Sequence, residues 1–324
     1  MPRTKRITFS GYVYHVLNRT EKMYRTPLIP QFTEVTGKLL VRAPAKLNLS
    51  LLIAGKRPDG YHEIETVMAK VDWYDELLFE PGAGDRIELV CQGPRWAPEG
   101  EENLVFQACR MLYDSAGTRP GVKVTLTKNI PAGSGLGGAS SDAAAALIGL
   151  NRFANLAVGH DKLHQIATRL GSDVPFFLGG PLALCKGRGE KIYQLEEQYC
   201  FTAILVLPAI NVSTTEIYSN YVHEQRVYQR LSRKINKFLD EKRVDLLAQL
   251  CENMLEKSCF QLHEWLADVK RRVQQLLSTP VCISGSGSAM YFIISGDDED
   301  AKRYQSMFSE VVGCESVIVH NNRW

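Results

Sequence analysis

The sequence predicts an α+β protein of two domains behind a short basic extension. Three observations carry that prediction. The chain has 324 residues, about twice the roughly 150 residues of a usual domain. Its composition, 45% apolar and 23% charged, is that of ordinary globular proteins and not of disordered, collagenous or membrane chains. Stretches of period two, the mark of half-buried strands, are interleaved with stretches of helical period.

Residues 1–36 show no sustained helical or strand period, and Pro27 and Pro30 break the approach to Gly37. They read as a basic extension. Its opening resembles the first residues of small bacterial repeat-associated transposases, so a start lying near Met23 is one reading. A disordered or Arg-rich targeting segment is another. From Gly37 the pattern becomes regular. Lys38 to Arg42 alternates as a strand, Pro44 makes a turn, and Leu47 to Ile53 reads as a second strand before the turn cluster Lys56 to Gly60. Val122 to Leu126 is a half-buried strand that leads through Asn129 and Pro131 into a glycine loop, and Ala139 to Asn151 is a small, apolar, buried helix. Asp161 caps an amphipathic helix with Leu163, Ile166 and Leu170 on one face and Gly171 as its stop.

Thr202 to Leu207 then reads as a strand, and helical patterns follow at about Val244 to Leu255 and Glu264 to Leu277. Val281 to Ile283 and Met290 to Ser295 read as strands flanking Ser284 to Ser288, with a polar helix from about Asp298 and a last strand at Ser316 to His320. The polar, unpatterned stretch around Leu195 to Gln198 divides residues 37–197 from residues 198–324. There is no internal repeat.

Charge and cysteine content exclude several classes of function. The net charge is +2, which gives the body of the protein no reason to bind nucleic acid. Residues 1–25 carry six basic residues (Arg3, Lys5, Arg6, Arg19, Lys22, Arg25) against Glu21, so the extension holds +5 and the remainder −3. A nucleic-acid-binding arm with Phe9, Tyr12 and Tyr14 is therefore a second class of reading, although six charges support only weak, salt-sensitive contact. The longest apolar run, Ala203 to Leu207, falls far short of the roughly 18 residues needed to cross a bilayer. Eight cysteines are scattered without a C-x-x-C pair or finger-spaced histidine, which argues against zinc and for cysteines that are mostly small buried hydrophobes in a reducing cytoplasm.

The most informative segment is Pro131-Ala132-Gly133-Ser134-Gly135-Leu136-Gly137-Gly138-Ala139-Ser140-Ser141-Asp142. Four glycines between a strand and a helix allow positive φ and close approach to a ligand. The free N–H groups and dipole of the following helix favour an anion, and polyphosphate is the natural guest. Gly133, Gly135 and Gly138 satisfy G-x-G-x-x-G, but the acid that a dinucleotide-binding unit needs about 20 residues on falls at Asp161, at a helix start. No Gly-Lys-Ser/Thr follows, so the loop is not a Walker A motif either.

Pro44-Ala45-Lys46-Leu47-Asn48-Leu49, this glycine loop, and Ser284-Gly285-Ser286-Gly287-Ser288-Ala289 resemble, in order, the three motifs of the GHMP small-molecule kinases. Arg57-Pro58-Asp59-Gly60-Tyr61-His62-Glu63 and Gly171-Ser172-Asp173-Val174-Pro175-Phe176-Phe177 resemble one branch of that superfamily, whose acceptor is 4-diphosphocytidyl-2-C-methyl-D-erythritol. The resemblance implies a domain like ribosomal protein S5 domain 2 followed by a ferredoxin-like domain, with the active site between them. It implies ATP with Mg²⁺ as cofactor, a small-molecule acceptor, and a monomer or homodimer with no nucleic-acid or membrane partner. On the matching positions, Asp173 is the general base for the 2-hydroxyl, and Lys46 holds it ionised and stabilises developing charge. Asn48, Tyr61, His62 and Tyr218 bind substrate, the two tyrosines on either face of a cytosine. Residues 131–141 hold ATP, Ser140 and Ser141 through their hydroxyls. No magnesium ligand is placed by motif. Asp142 is a candidate only as an acid at a helix start, where a dipole partner is more usual. A mevalonate-pathway kinase of the same superfamily is the runner-up.

Overall fold

The computed structural model describes residues 31–196, 199–294, 298–322 and 324, and at the amino terminus residues 8–9 and 12–13. The basic residues of the extension and Tyr14 lie outside the described residues. Two compact units result. In residues Met1–Pro30, β1 (Thr8–Phe9) and β2 (Tyr12–Val13) pair antiparallel.

Residues Gln31–Trp324 form the second unit. Its first half runs β3 (Phe32–Val35), β4 (Lys38–Lys56), β5 (His62–Pro81), β6 (Ile87–Gln92), α1 (Leu104–Ala116), β7 (Val122–Thr127), α2 (Gly138–Phe153), α3 (His160–Leu170), α4 (Val174–Phe177), β8 (Leu182–Gly187) and β9 (Lys191–Gln194). These strands make one sheet in the order β3-β4-β5-β7-β6, with β8 also paired to β5 and β9 to β8. Only the β6–β7 pair is parallel. The second half runs β10 (Thr202–Leu207), α5 (Thr214–Ser219), α6 (Gln225–Asp240), α7 (Val244–Leu250), α8 (Glu256–Leu262), α9 (Glu264–Gln275), β11 (Cys282–Ile283), β12 (Met290–Ile294), α10 (Asp298–Val311) and β13 (Glu315–His320). Its four strands form an antiparallel sheet in the order β11-β12-β10-β13.

Three apolar layers hold this unit together. Val41, Phe79, Leu112, Leu147 and Phe176 join the first sheet to α1, α2 and α4. Leu47, Leu49 and Val67 meet Ala203, Leu205 and Tyr291 between the two sheets. Ile204, Val206 and Phe292 meet Leu266, Val269 and Phe308 on the far face of the second sheet. Alternate residues of β10 thus face different apolar layers, which is why this strand is a continuous apolar run.

Several elements depart from the sequence reading. Regular structure in this unit begins at Phe32, because β3 pairs with β4 across a turn in which Thr36 and Gly37 both take positive φ. The strand lies at the sheet edge with two residues exposed, which leaves little apolar pattern to read. Pro44 does not end a strand: β4 continues from Lys38 to Lys56 and accommodates the proline at a register shift between Pro44 and Ala45. Asp161 is not the cap of α3 but lies in its first turn after Gly159, where an acid complements the dipole. The helix expected over 244–255 stops at Leu250, since Cys251 turns left-handed at φ 54°. Six cysteines are free, four of them buried as expected of most, while Cys251 and Cys282 form a disulfide; the fold brings these two together across 31 residues, a separation that carries no local sequence signal. No helix among the described residues is long and apolar enough to cross a membrane.

Candidate active site

The register shifts in β4 at Pro44/Ala45 and Asn48/Ser50 re-aim the strand where it meets the glycine loop. Lys46 and Asn48 are both buried there. The Lys46 amide donates to the Leu136 carbonyl at 2.9 Å, tying the strand to the loop. The Lys46 ammonium donates to Asn48 Oδ1, and Asn48 Nδ2 donates to Thr66 Oγ1 at 2.8 Å. The Asn48 amide group therefore orients the lysine as well as facing the cavity. Lys46 Nζ lies 3.7 Å from Asp173 Oδ2. Burial lowers the Lys46 pKa from its ordinary value, and the Asp173 carboxylate is the main force opposing that fall.

Asp173 immediately precedes α4, which carries Pro175 in its first turn. Its side chain is 33% exposed, open to the cavity that it lines. That cavity measures about 760 Å³. Pro131 to Gly135 and Gly137 to Ser140 line one part of it; Tyr61, His62 and Tyr218 line another, with Lys46, Asn48 and Asp173 also in its wall. Leu136 and Ser141 are buried behind the loop, and Ser134 turns its hydroxyl onto the Pro131 carbonyl at 2.7 Å. Asp142 is also buried, against Lys128 Nζ at 2.7 Å, so it is not a cavity ligand.

The third motif is strapped to the loop. Ser284 Oγ donates to the Gly135 carbonyl at 2.9 Å, and the Ala289 amide donates to the Ser134 carbonyl at 3.0 Å. Gly135 has φ +78°, and a Cβ there would lie 2.0 Å from the Ser284 carbonyl oxygen, so only glycine permits this contact. Asn253 Nδ2 donates to the Gly285 carbonyl at 2.7 Å, bringing the segment after the disulfide residue Cys251 onto the same motif.

The far end is aromatic. His62 packs its ring on Tyr218 at 5.2 Å and edge-on to Tyr221 at 5.8 Å. Burial, then the charge of Lys56, lower the His62 pKa and favour the neutral imidazole. Tyr61 is 52% exposed and stands over the cavity. Two features escaped the sequence reading. Arg188, in the turn between β8 and β9, holds its guanidinium 4.7 Å from the Tyr61 ring centre. Beneath the glycine loop, buried Lys128 pairs with Asp75 as well as Asp142, and Asp75 Oδ1 accepts from the Asn129 and Ile130 amides that enter the loop. A charged triplet split between residues 75, 128 and 142 has no local motif.

Residues 103–180 match the model of the GHMP kinases N terminal domain and residues 235–312 that of the GHMP kinases C terminal domain. A 4-diphosphocytidyl-2-C-methyl-D-erythritol kinase of Bacillus cereus (strain B4264) is 37% identical, over 83% of this chain and 93% of that relative. A crystal structure of 4-(cytidine 5'-diphospho)-2C-methyl-D-erythritol kinase, 30% identical, superposes with a TM-score of 0.70 over 88% of this chain and all of that one. The chain belongs to the 4-diphosphocytidyl-2-C-methyl-D-erythritol kinase family, within the GHMP kinases. Homoserine kinase from Cytophaga hutchinsonii superposes almost as well, with a TM-score of 0.69 over 91% of this chain, but at 19% identity it shares the fold alone. The same holds for the mevalonate kinase of L. major at 15% identity and a TM-score of 0.65, so the mevalonate-type alternative falls away. As a member of this family, the chain is an ATP-dependent small-molecule kinase, and the α+β GHMP fold expected from its motifs is the fold it has.

Proposed function

We propose that the protein transfers the γ-phosphoryl group of ATP to the 2-hydroxyl of 4-diphosphocytidyl-2-C-methyl-D-erythritol, giving the 2-phosphate and ADP in the non-mevalonate route to isoprenoid precursors. The observation that carries this reading is the 3.7 Å Lys46–Asp173 pair in a cavity shared by the glycine loop and by Tyr61, His62 and Tyr218. Phosphoryl transfer asks a protein for positioning, charge stabilisation and a group to take the acceptor's proton. Asp173 takes the 2-hydroxyl proton as the oxygen bonds to the γ-phosphorus. The bond from that phosphorus to the β–γ bridging oxygen breaks, and its electron pair leaves on ADP. Lys46, a buried ammonium in a low-dielectric wall, stabilises the charge that moves onto the phosphoryl oxygens. The loop amides from Gly133 to Gly138 and the start of α2 cradle the ATP phosphates. Tyr61 and Tyr218 bracket the cytosine, and neutral His62 offers one donor and one acceptor to its edge.

Magnesium binds readily with one or two protein ligands and several waters when substrate phosphates supply the rest. The residues present fit such an ion and not a dedicated cage: no group of three histidine, cysteine or acidic side chains converges among the described residues, and Asp142 is engaged by Lys128. Ser140 at the loop is the cavity side chain that would hold it, with the ATP phosphates and waters supplying the remaining ligands. When bound, the ion neutralises phosphate charge.

The test is ADP release with Mg-ATP and 4-diphosphocytidyl-2-C-methyl-D-erythritol, beside mevalonate, homoserine and no acceptor, with Asp173→Ala in parallel. Release with the cytidyl substrate alone, lost in the variant, is the expected result. Equal release with mevalonate, or turnover indifferent to Asp173→Ala, overturns the substrate or the base respectively.

A further inference from the structure

The geometry points to Arg188 as the residue that grips the diphosphate of the acceptor substrate and so sets the preference for a cytidine diphosphate over a bare cytidine. This assignment rests on the cytidyl reading of the cavity given above. Arg188 stands at the tip of the β8–β9 hairpin between Gly187 and Gly189, both at positive φ. Its backbone is pinned: the Arg188 amide donates to Glu190 Oε2 at 2.6 Å and the Gly189 amide to the Lys186 carbonyl at 3.2 Å. The turn also abuts the transfer end of the cavity, since a Cβ on Gly189 would lie 3.3 Å from the Ser172 carbonyl oxygen and 3.5 Å from Asp173 Oδ1.

The side chain reaches the other way, to the Tyr61 ring, and lines the cavity. No carboxylate lies within ion-pair distance of its guanidinium among the described residues; Asp59, which also lines the cavity, feels it only at longer range. A cation held over an aromatic face in a cavity wall, with five N–H donors and no anionic partner, is a ready phosphate receptor. Its place fits one phosphate source better than the other. The acceptor carries its diphosphate between a cytosine, which Tyr61 receives, and a hydroxyl, which Asp173 receives, and Arg188 bridges those two residues. The ATP phosphates belong at the glycine loop, to which Arg188 makes no contact that would place it there.

The experiment compares CDP and cytidine binding by calorimetry to the wild type, Arg188→Met and Arg188→Lys, with KM for ATP and for the acceptor measured on the same proteins and thermal unfolding as a check of folding. For Arg188→Met we expect CDP binding to weaken by about 10- to 100-fold, the usual worth of hydrogen bonds to a charged group. Cytidine binding should hold within about 3-fold, the acceptor KM should rise with CDP, and the ATP KM should stay put. Arg188→Lys should recover part of the CDP affinity, because the charge remains while the fork is lost. Equal weakening of CDP and cytidine overturns the assignment and leaves Arg188 as a support for Tyr61. A raised ATP KM with unchanged CDP affinity overturns it in favour of the ATP phosphates. A wild type that binds neither CDP nor cytidine overturns the cytidyl reading itself, and the role of Arg188 with it.

Discussion

Replacing Lys128 by methionine should unfold this protein more readily than any single change at the cavity surface. The Lys128 side chain is 3% exposed, Asp142 3% and Asp75 0%. Burial works to lower the Lys128 pKa, but the carboxylates of Asp142 and Asp75 outweigh it and hold the ammonium above its ordinary value. One ammonium faces two carboxylates, and burial together with Asp75 pushes the Asp142 carboxyl up against the pull of Lys128. Methionine keeps most of the length and packing of the lysine stem and deletes only the charge. It leaves two dry carboxyl groups without their cation, a loss that costs about 3–5 kcal/mol. At about 2–4 °C per kcal/mol, the figure for domains of 150–250 residues, Tm should fall by roughly 6–20 °C. Asp142→Asn should cost under about 1.5 kcal/mol, because the carboxyl is already biased toward its neutral form and Asp75 still holds Lys128. The double variant Lys128→Met/Asp142→Asn should recover part of the loss, since an amide at position 142 cannot ionise against the Asp75 carboxylate and can still donate to it. Urea unfolding followed by tryptophan fluorescence measures all three. A Lys128→Met protein within about 1 kcal/mol of wild type, or a double variant no better than the single one, would refute the picture of a dry charged triplet under the loop.

Other outcomes follow from the cavity. Asp173→Asn should lower kcat by about 10²- to 10⁴-fold, with Tm almost unchanged, because a partly exposed pair at 3.7 Å adds little stability; a large drop in Tm would make the residue structural. The step that needs a charged Lys46 should fail as pH rises through a value below the ordinary lysine pKa, since burial depresses it. Asp173→Asn removes the main opposing charge and should move that alkaline limb lower still; a stationary limb in the residual activity would dissociate it from Lys46. Gly135→Ala, with backbone 2.0 Å from the new Cβ, should raise the ATP KM and lower Tm. Gly133→Ala, whose nearest neighbour would be 3.6 Å away, should pay only the roughly 1–2 kcal/mol of left-handed strain, and urea unfolding would rank them. Alkylation in denaturant without reductant should modify six cysteines, rising to eight after reduction; eight from the start would remove the Cys251–Cys282 bond.

What could be read from the sequence was whatever is local. The apolar run of β10, the stop at Gly171 and the glycine loop each write their structure into neighbouring residues, and the structure agrees on all three. The 20-residue strand β5 was silent for the opposite reason. Asp72, Asp75 and Glu76 interrupt its apolar pattern, and Asp75 is tolerable there only because Lys128, 53 positions away, neutralises it. Arg188 was silent too, because one arginine between two glycines looks like any surface turn until the hairpin brings it beside Asp173 and Tyr61. The motif residues Lys46, Asp173, Tyr61, His62 and Tyr218 came from ordered resemblance over the chain, not from spacing, and they converge on one cavity.

The two ends of that cavity are built on different physical terms. At the transfer end, Lys46 and Asn48 are buried and the surrounding segments are cross-tied: β4 to the glycine loop through the Leu136 carbonyl, and the third motif to the loop through the Gly135 and Ser134 carbonyls. Displacing one of these groups disturbs the others, so the geometry of phosphoryl transfer resists change by single substitutions. At the recognition end, exposed Tyr61 and half-buried Arg188 sit on turns with few partners, which leaves them replaceable at small cost to folding. A fold organised this way can keep one transfer chemistry while the turns around it select the acceptor. Homoserine and mevalonate kinases share its shape at 19% and 15% identity, so the shape leaves the acceptor open and it has to be argued from Tyr61, His62, Tyr218 and Arg188.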